Sequence, residues 1–433
     1  MGCNATNIIL RPYFQFNIKM RRVLSIVLFV LLLTWLMDSY AYQGIKVLTA
    51  DLSADLKTLL RIFYWILFLG STVLLGIRML FVGIPPGKSK LTEILFSFVI
   101  SLFITNLVFV TVLFAEDIYR LLHGFIQFVI SNNSGSFFPD RNKQVSELAM
   151  GLSVFTFFSF LYGMIRGKHS YKVHKHTLFF ADLPAAFDGF KIVQISDIHS
   201  GSFNSSKSVQ KGVDLIKAQK ADLFVFTGDL VNNLASEIEP WMNHFNQIKT
   251  PYGQFSILGN HDYGDYISWP SKEHKEQNLE QLKQHHLNLG YKLLLDEHVI
   301  IEKDGEKIIL LGVENWGKGF GEKGDLEKAL HQTDADGFKI LLSHDPSHFD
   351  EIIKTHDTQI HLTLSGHTHG MQIGIETPYF KWSPVKLRYK NWAGLFKENG
   401  RHLYVNRGFG FIGFSGRVGI WPEITLLELK RKP

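Results

Sequence analysis

Ser365-Gly366-His367-Thr368-His369-Gly370 is answered by three stretches far upstream: Ser196-Asp197-Ile198-His199, Thr227-Gly228-Asp229 and Gly259-Asn260-His261-Asp262. Leu342-Ser343-His344-Asp345 completes the set. Each follows a short apolar run, at Phe190 to Ile195, Leu223 to Phe226, Phe255 to Leu258, Ile340 to Leu342 and Ile360 to Leu364. Runs of this length ending in Gly or polar residues predict buried strands, and the carboxyl ends of such strands are where an open α/β sheet presents its chemistry. Helices are predicted near Ser206–Gln219 and Leu234–Gln247, and a polar helix over Glu273–Leu289. Asp304-Gly305 signals a hairpin joining Val299–Glu302 to Lys307–Val313. His402–Asn406 and Ile424–Leu429 read as closing strands. Strands alternating with helices predict an α/β domain with mostly parallel pairing.

Residues i and i+2 of an extended chain point the same way. Asp197 and His199 can therefore face one ion, as can His367 and His369. Carboxylate, imidazole and amide oxygen suit a borderline divalent metal such as manganese, iron or zinc, and no thiolate biases the choice. The seven candidates, Asp197, His199, Asp229, Asn260, His344, His367 and His369, exceed what one tetrahedral zinc needs. They suit two metals about 3.5–4 Å apart with one carboxylate bridging. A lone histidine such as His344 is more often a packing residue, and Gly228-Asp229 alone says little. The joint pattern carries the reading.

The order D-x-H, G-D, G-N-H-D, lone H and G-H-x-H, complete from Asp197 to His369, resembles that of the calcineurin-like metallophosphoesterases. The resemblance implies a sandwich of two mixed β-sheets flanked by helices. It implies that Asp197, His199, Asp229 and His369 hold one metal, and that Asp229 bridges to a second held also by Asn260, His344 and His367. His261 would contact the phosphate. A metal-bridging water, its pKa pulled toward neutrality, is then the expected nucleophile. His261 would stabilise developing charge or protonate the leaving oxygen. Asp262 and Asp345, each next to a site histidine, are candidate acceptors orienting an imidazole. His169, His174, His176, His285, His286, His298, His348, His356 and His361 lack motif context and are expected at the surface or in the linker.

Asn232-Asn233 follow Gly228-Asp229 where the protein serine/threonine phosphatases carry Asp-Arg, which argues against a phosphoprotein substrate. Tyr404-Val405-Asn406-Arg407-Gly408 and Pro422-Glu423-Ile424-Thr425 resemble instead the small-molecule or lipid-directed phosphodiesterase branch. Arg407 and Arg417 are the basic residues expected near a substrate phosphate. Thr377 to Lys397 interleaves six aromatic residues, Tyr379, Phe380, Trp382, Tyr389, Trp392 and Phe396, with Lys381, Lys386, Arg388, Lys390 and Lys397. That composition suits a membrane–water interface and a lipid-borne phosphoester.

Composition divides the chain. Of 19 histidines only His123 precedes residue 166, and the first 165 residues hold long uncharged apolar runs. Three parts are expected: a membrane region over 1–165, a linker over 166–185 and the α/β domain over 186–433. Ile62–Ile77, Ile94–Ala115 and Leu148–Ile165 read as spans. Val23–Met37, at 15 residues, is short against the roughly 20 a span needs and completes a set of four. Ile118–Ile130 reads as a separate interfacial helix. Eleven Lys and Arg flank one face and six the other, which sets both termini and the catalytic half in the cytoplasm.

Met1-Gly2-Cys3-Asn4-Ala5-Thr6 fits a myristoylation pattern with Cys3 open to palmitoylation. The match is short, and Met20 before Arg21-Arg22 reads as an alternative start; Arg21-Arg22 before an apolar run also resembles a twin-arginine signal, but the rest of that motif is missing and plain positive flanks are the preferred reading there. The single cysteine excludes an internal disulfide and a cysteine metal site, and a net charge of +5 without a basic block does not indicate nucleic acid. Two alternatives remain open: pyrophosphate cleavage of a nucleotide-linked lipid such as UDP-diacylglucosamine, and a non-catalytic membrane scaffold. The sequence is silent on oligomeric state.

Overall fold

The computed structural model describes residues 6–82, 90–130 and 136–432; the acylation pattern beginning at Met1 and the flanking Lys88 lie outside them. The chain forms two compact units, Met1–Leu161 and Tyr162–Pro433.

The first unit is helical. Helix α1 (Thr6–Leu48) does not stop with the apolar run at Met37. It continues through Asp38, which stays buried because Asn106 donates to its Oδ1 at 2.6 Å. With one carboxylate oxygen bonded, Asp38 sits inside the apolar helix bundle, and the first span lengthens to Val23–Leu48. Helix α2 (Ala54–Trp65), started by a Ser53 cap, runs through a π-turn at Ile66–Gly70 into α3 (Ser71–Val82). Helix α4 (Lys90–Ile130) is one 41-residue rod, about 60 Å long. It absorbs the interfacial helix expected as a separate element over Ile118–Ile130. Glu116 and Asp117 do not interrupt it, because Arg141 pairs with both at 2.6 Å and Arg120 pairs with Asp117 at 2.5 Å. Helix α5 is Lys143–Ile165. Among the described residues, four helices are long and apolar enough to cross a membrane.

The second unit is a four-layer α/β sandwich. One sheet contains β1 (Lys172–Phe180), β2 (Lys191–Ile195), β3 (Leu223–Phe226), β4 (Gln254–Ser256) and β5 (Lys292–Leu293). The other contains β6 (Glu297–Lys303), β7 (Glu306–Gly312), β8 (Lys339–Leu342) and β9 (Leu362–Ser365). A small hairpin of β10 (Ile375–Glu376) and β11 (Lys381–Trp382) follows. Strands β12 (Gly394–Glu398) and β13 (Arg401–Val405) return to the second sheet, and β14 (Glu423–Arg431) to the first. The orders are β1-β14-β2-β3-β4-β5 and β12-β13-β9-β8-β7-β6. β2 through β5 pair in parallel, as do β7, β8, β9 and β13; β14 against β2 and the two hairpin pairs are antiparallel.

Alternation sorts the side chains into layers. Ile192, Val225 and Leu427 meet Leu310, Ile340, Leu342 and Leu364 between the sheets. Val193, Phe224 and Phe226 face outward under α6 (Ser206–Lys217), α7 (Met242–Phe245) and α8 (Lys272–Leu289). Strands buried on both faces read as continuous apolar runs, which is why these were legible.

Three expectations change here. The stretch taken for a linker supplies β1, in parallel register with β14 from Lys172↔Glu423 to Phe180↔Arg431. The helix expected over Leu234–Gln247 is two 3₁₀ turns and the single turn of α7, because Pro240 lacks the N–H a continuous helix needs. His286, His348 and His361 are not surface residues but buried ones.

His286 hydrogen-bonds Ser256 Oγ at 2.9 Å through Nδ1, and burial pushes its pKa down to about 3. A histidine depressed in this way stabilises the fold above its unfolded value near 6.5, and that stability is lost as pH falls toward the folded value. Between pH 6.5 and 4.5 the melting temperature of the full chain should fall more steeply for wild type than for His286→Asn. His286 alone contributes a slope of about 1.4 kcal/mol per pH unit at its limit. Parallel curves would exclude this assignment.

Candidate metal centre

All five motifs leave the carboxyl ends of parallel strands: β2 delivers Asp197 and His199, β3 Asp229, β4 Asn260, β8 His344, and β9 His367 and His369. The first three strands belong to one sheet and the last two to the other, so the loops converge over the top of the sandwich. Asp197, His199 and His369 place ligand atoms within 4.8 Å of one another, and so do Asp229, His344 and His367. Asp229 Oδ2 lies 3.5 Å from His199 Nε2 and 3.2 Å from His344 Nε2, facing both groups. Its Oδ1 accepts the His261 N–H at 2.8 Å. Asn260 Oδ1 is 2.8 Å from His367 Nδ1 and 3.2 Å from His344 Nε2.

The backbone is bent to make this possible. Asp197 (φ 52°), His199 (46°), Asp229 (61°), His367 (69°) and His369 (50°) are all left-handed. Such conformations cost a non-glycine residue about 1–3 kcal/mol and persist where the surroundings over-determine them. Gly228 leaves no alternative before Asp229: a Cβ there would stand 2.6 Å from Gly259 N and 2.8 Å from His344 Nδ1.

Hydrogen bonds fix which nitrogen each ring presents. His344 Nδ1 donates to the Thr227 carbonyl at 2.7 Å, and His199 Nδ1 to Asn232 Oδ1 at 3.1 Å, turning both Nε2 atoms inward. His261 Nδ1 donates to the Asn232 carbonyl at 2.9 Å. Asp345 Oδ2 lies 3.3 Å from His367 Nε2 and takes the Tyr389 hydroxyl at 3.1 Å. Buried Nε2 atoms of His199 and His369 have no hydrogen-bond partner among the described residues. Burial keeps His199 and His367 below the ordinary histidine range. Burial opposes a charge on His344 as well, but Asp229 beside it pushes that pKa up to about 10.

Two buried carboxylates, inward-turned imidazoles and orphaned nitrogens fit divalent cations. Asp197, His199 and His369 form one group that could hold a metal ion, and Asp229, His344 and His367 another.

Arg407 and Arg417 are both buried and held by the chain's own acceptors. Arg407 is buried, with Nε and Nη2 on Glu376 (3.0 and 2.5 Å) and Nη1 on Glu423 (2.5 Å). It fastens the β10–β11 hairpin to β14. Arg417 is fully buried, donating to the Gly408 and Gly410 carbonyls, with Nη2 3.1 Å from His369 Nδ1. Asp262 does not orient an imidazole: its oxygens accept backbone N–H groups of Asp229, Leu230, Val231 and Gly259 at 2.8–3.2 Å.

Two contributors were missed. Asn232, noticed only as standing where the phosphatases carry an aspartate, holds His199 and is itself held by Glu237 Oε2 on its N–H. Tyr266 stacks on His261 at 4.3 Å and takes the Asn260 amide at 2.7 Å; nothing in its sequence context marks it.

Residues 190–371 match the family model described as calcineurin-like phosphoesterase, and residues 20–168 that of a probable calcineurin-like phosphoesterase transmembrane domain. The chain is 31% identical over 272 residues to the metallophosphoesterase YkuE of Bacillus subtilis (strain 168), covering 60% of this chain and 86% of that protein. The chain belongs to the calcineurin-like metallophosphoesterases.

A second relative of this metallophosphoesterase, YkoQ of the same organism, is 27% identical over 285 residues, or 65% of this chain and 99% of YkoQ. The transmembrane protein with metallophosphoesterase domain of Danio rerio is 27% identical over 282 residues, or 63% and 60%. The metallophosphoesterase is a metal-dependent phosphoesterase and a membrane protein with four candidate spans.

Proposed function

We propose that this metallophosphoesterase hydrolyses a phosphodiester carried by a membrane lipid, with two divalent cations (manganese, iron or zinc) in the centre described above. Asp229 carries the two-cation reading, because one carboxylate oxygen faces nitrogen donors of both groups. Cations held there supply Lewis acidity toward phosphoryl oxygens and acidify a water. The chain supplies the rest. His261, half-buried between Tyr266 and His199, is locked through Nδ1 to the Asn232 carbonyl. Its Nε2 is then the atom that can give a proton to, or hold, the departing oxygen. Asp345 and Tyr389 keep His367 aligned.

Support for a lipid comes from the surface beside the centre. At the β10–β11 hairpin and the turn after it, Tyr379 is 98% exposed and Leu387 89%, with Phe380 and Trp382 also exposed. Tyr389, Trp392 and Lys381, which the composition grouped with them, pack inward instead, Lys381 lying 4.6 Å over the Trp392 ring. Ser383 ties this turn to the Gly370 carbonyl at 2.7 Å, one residue from His369. Arg417 N–H donates to the Gly163 carbonyl in the last turn of α5 at 3.2 Å, and Gly374 N–H to Val418 at 2.9 Å. Arg417 and Val418 therefore join Gly163 to the root of the hairpin within the Tyr162–Pro433 unit. The flanking cations favour a cytoplasmic centre.

The test uses full-length protein loaded with manganese. Bis-p-nitrophenyl phosphate should be cleaved faster than the monoester, and a vesicle-borne diester should also be cleaved. Tyr379→Ser with Leu387→Ser should slow the vesicle substrate roughly tenfold, by weakening apolar insertion, and leave bis-p-nitrophenyl phosphate unchanged. Equal slowing of both would remove the lipid from this reading, and exclusive monoester turnover would remove the diester.

A further inference from the structure

Away from the metal ligands, the Tyr162–Pro433 unit holds a groove of about 1100 Å³ between the last turn of α5 and the first turns of α6. One wall is Tyr162 and Ile165, exposed side chains at the end of an apolar helix long enough to cross a membrane. The same lining carries Arg166, Lys207 and Lys211, all exposed. None of these three cations is ion-paired among the described residues. The one carboxylate on the wall, Asp214, takes the Gln210 amide at 2.8 Å. Lys168 nearby makes the contrast: it is buried, donates to Ser415 Oγ at 3.0 Å and lies 4.8 Å over Phe411.

Three cations converging on one cavity repel one another unless an anion joins them. Apolar side chains from the end of a membrane-length helix line the same groove as the cations. A molecule matching both has an acyl chain that runs along α5 and an anionic phosphate that turns in over α6. We propose that this groove binds the headgroup of an anionic phospholipid from the leaflet at which α5 leaves the bilayer. Basic pockets at the membrane surface hold lipid headgroups in this way. Positive flanks that serve topology alone need neither a cavity nor convergence on it. The site is independent of the metal centre and of the substrate proposed above.

Full-length protein in detergent, titrated with phosphatidylglycerol and separately with phosphatidylcholine and followed by native mass spectrometry, tests it. One phosphatidylglycerol should be retained in preference to phosphatidylcholine. The Arg166→Gln, Lys207→Gln, Lys211→Gln triple variant should weaken that retention roughly a hundredfold, each cation near the surface being worth about a factor of five. Lys207→Arg with Lys211→Arg should keep it, separating charge from misfolding. Glycerol phosphate at the same concentration should not displace the lipid. Equal retention of both lipids by wild type, undiminished phosphatidylglycerol on the triple variant, or displacement by glycerol phosphate would each overturn the proposal, the last by assigning the groove to soluble phosphate.

Discussion

Asp229→Asn is expected to leave the fold intact, to strip metal from the centre and to lower turnover on the order of a thousandfold. The side chains are nearly isosteric, so packing should survive. What changes is charge at the one oxygen that faces both ligand groups, 3.5 Å from His199 and 3.2 Å from His344. Two divalent cations held as proposed would bring four positive charges, of which the carboxylates at Asp197 and Asp229 return two. Removing one leaves two like charges with half their compensation in a buried site, where screening is weak. Lewis-acid stabilisation of a phosphoryl transition state is worth several kcal/mol, and about 4 kcal/mol is three decades of rate. Metal analysis of the purified variant should give fewer than two manganese per chain, with melting of the metal-free protein shifted far less than turnover. Two bound metals and near-normal diester hydrolysis would remove Asp229 from the bridging position.

What could be read from the sequence follows from burial. Strands such as Leu223–Phe226 and Lys339–Leu342, enclosed on both faces, write themselves as apolar runs, and the ligand motifs sit at their ends. Strand β1 is different. It is an edge strand whose first residues Lys172, His174, Lys175 and His176 are partly or fully exposed, so its composition is that of a basic linker. Register with β14 makes it a strand, and register leaves no trace in local composition. Buried histidines escape for a similar reason: His286 and His361 are neutral packing groups tied to Ser256 and Asp182, partners 30 and 179 residues away in sequence. The acceptors that hold the two arginines leave no local sequence signal either: Glu376 and Glu423 take the Arg407 donors, and the Gly408 and Gly410 carbonyls take those of Arg417. Aspartates beside motif histidines mislead by adjacency. Asp345 does face an imidazole, but Asp262 faces amides, and backbone acceptor sites carry no sequence signature.

Asp262→Ala follows from that difference and should be among the most destabilising single changes in the Tyr162–Pro433 unit. Its two oxygens collect the N–H groups of Asp229 (2.9 Å), Leu230 (2.8 Å), Val231 (3.2 Å) and Gly259 (2.9 Å). Asp262 is fully buried, so truncation leaves all four donors without an acceptor. A buried unsatisfied donor costs about 1–3 kcal/mol. Allowing for water entering the space, the sum is on the order of 4 kcal/mol, or about 10 °C of melting temperature for a unit of this size. The same amides hold Asp229 in its left-handed turn (φ 61°) and fix the loop that carries Asn260. Metal should therefore be lost from both ligand groups together. Asp345→Asn is the control that separates support of the backbone from support of one ring. It touches His367 alone among the ligands, so it should weaken one metal and move the melting temperature little. If Asp262→Ala melted within about 2 °C of wild type with two metals bound, the turn would have another anchor. If both variants lost both metals with equal destabilisation, the centre would be held cooperatively by its ring partners rather than by the carboxylate beneath the β3 and β4 loops.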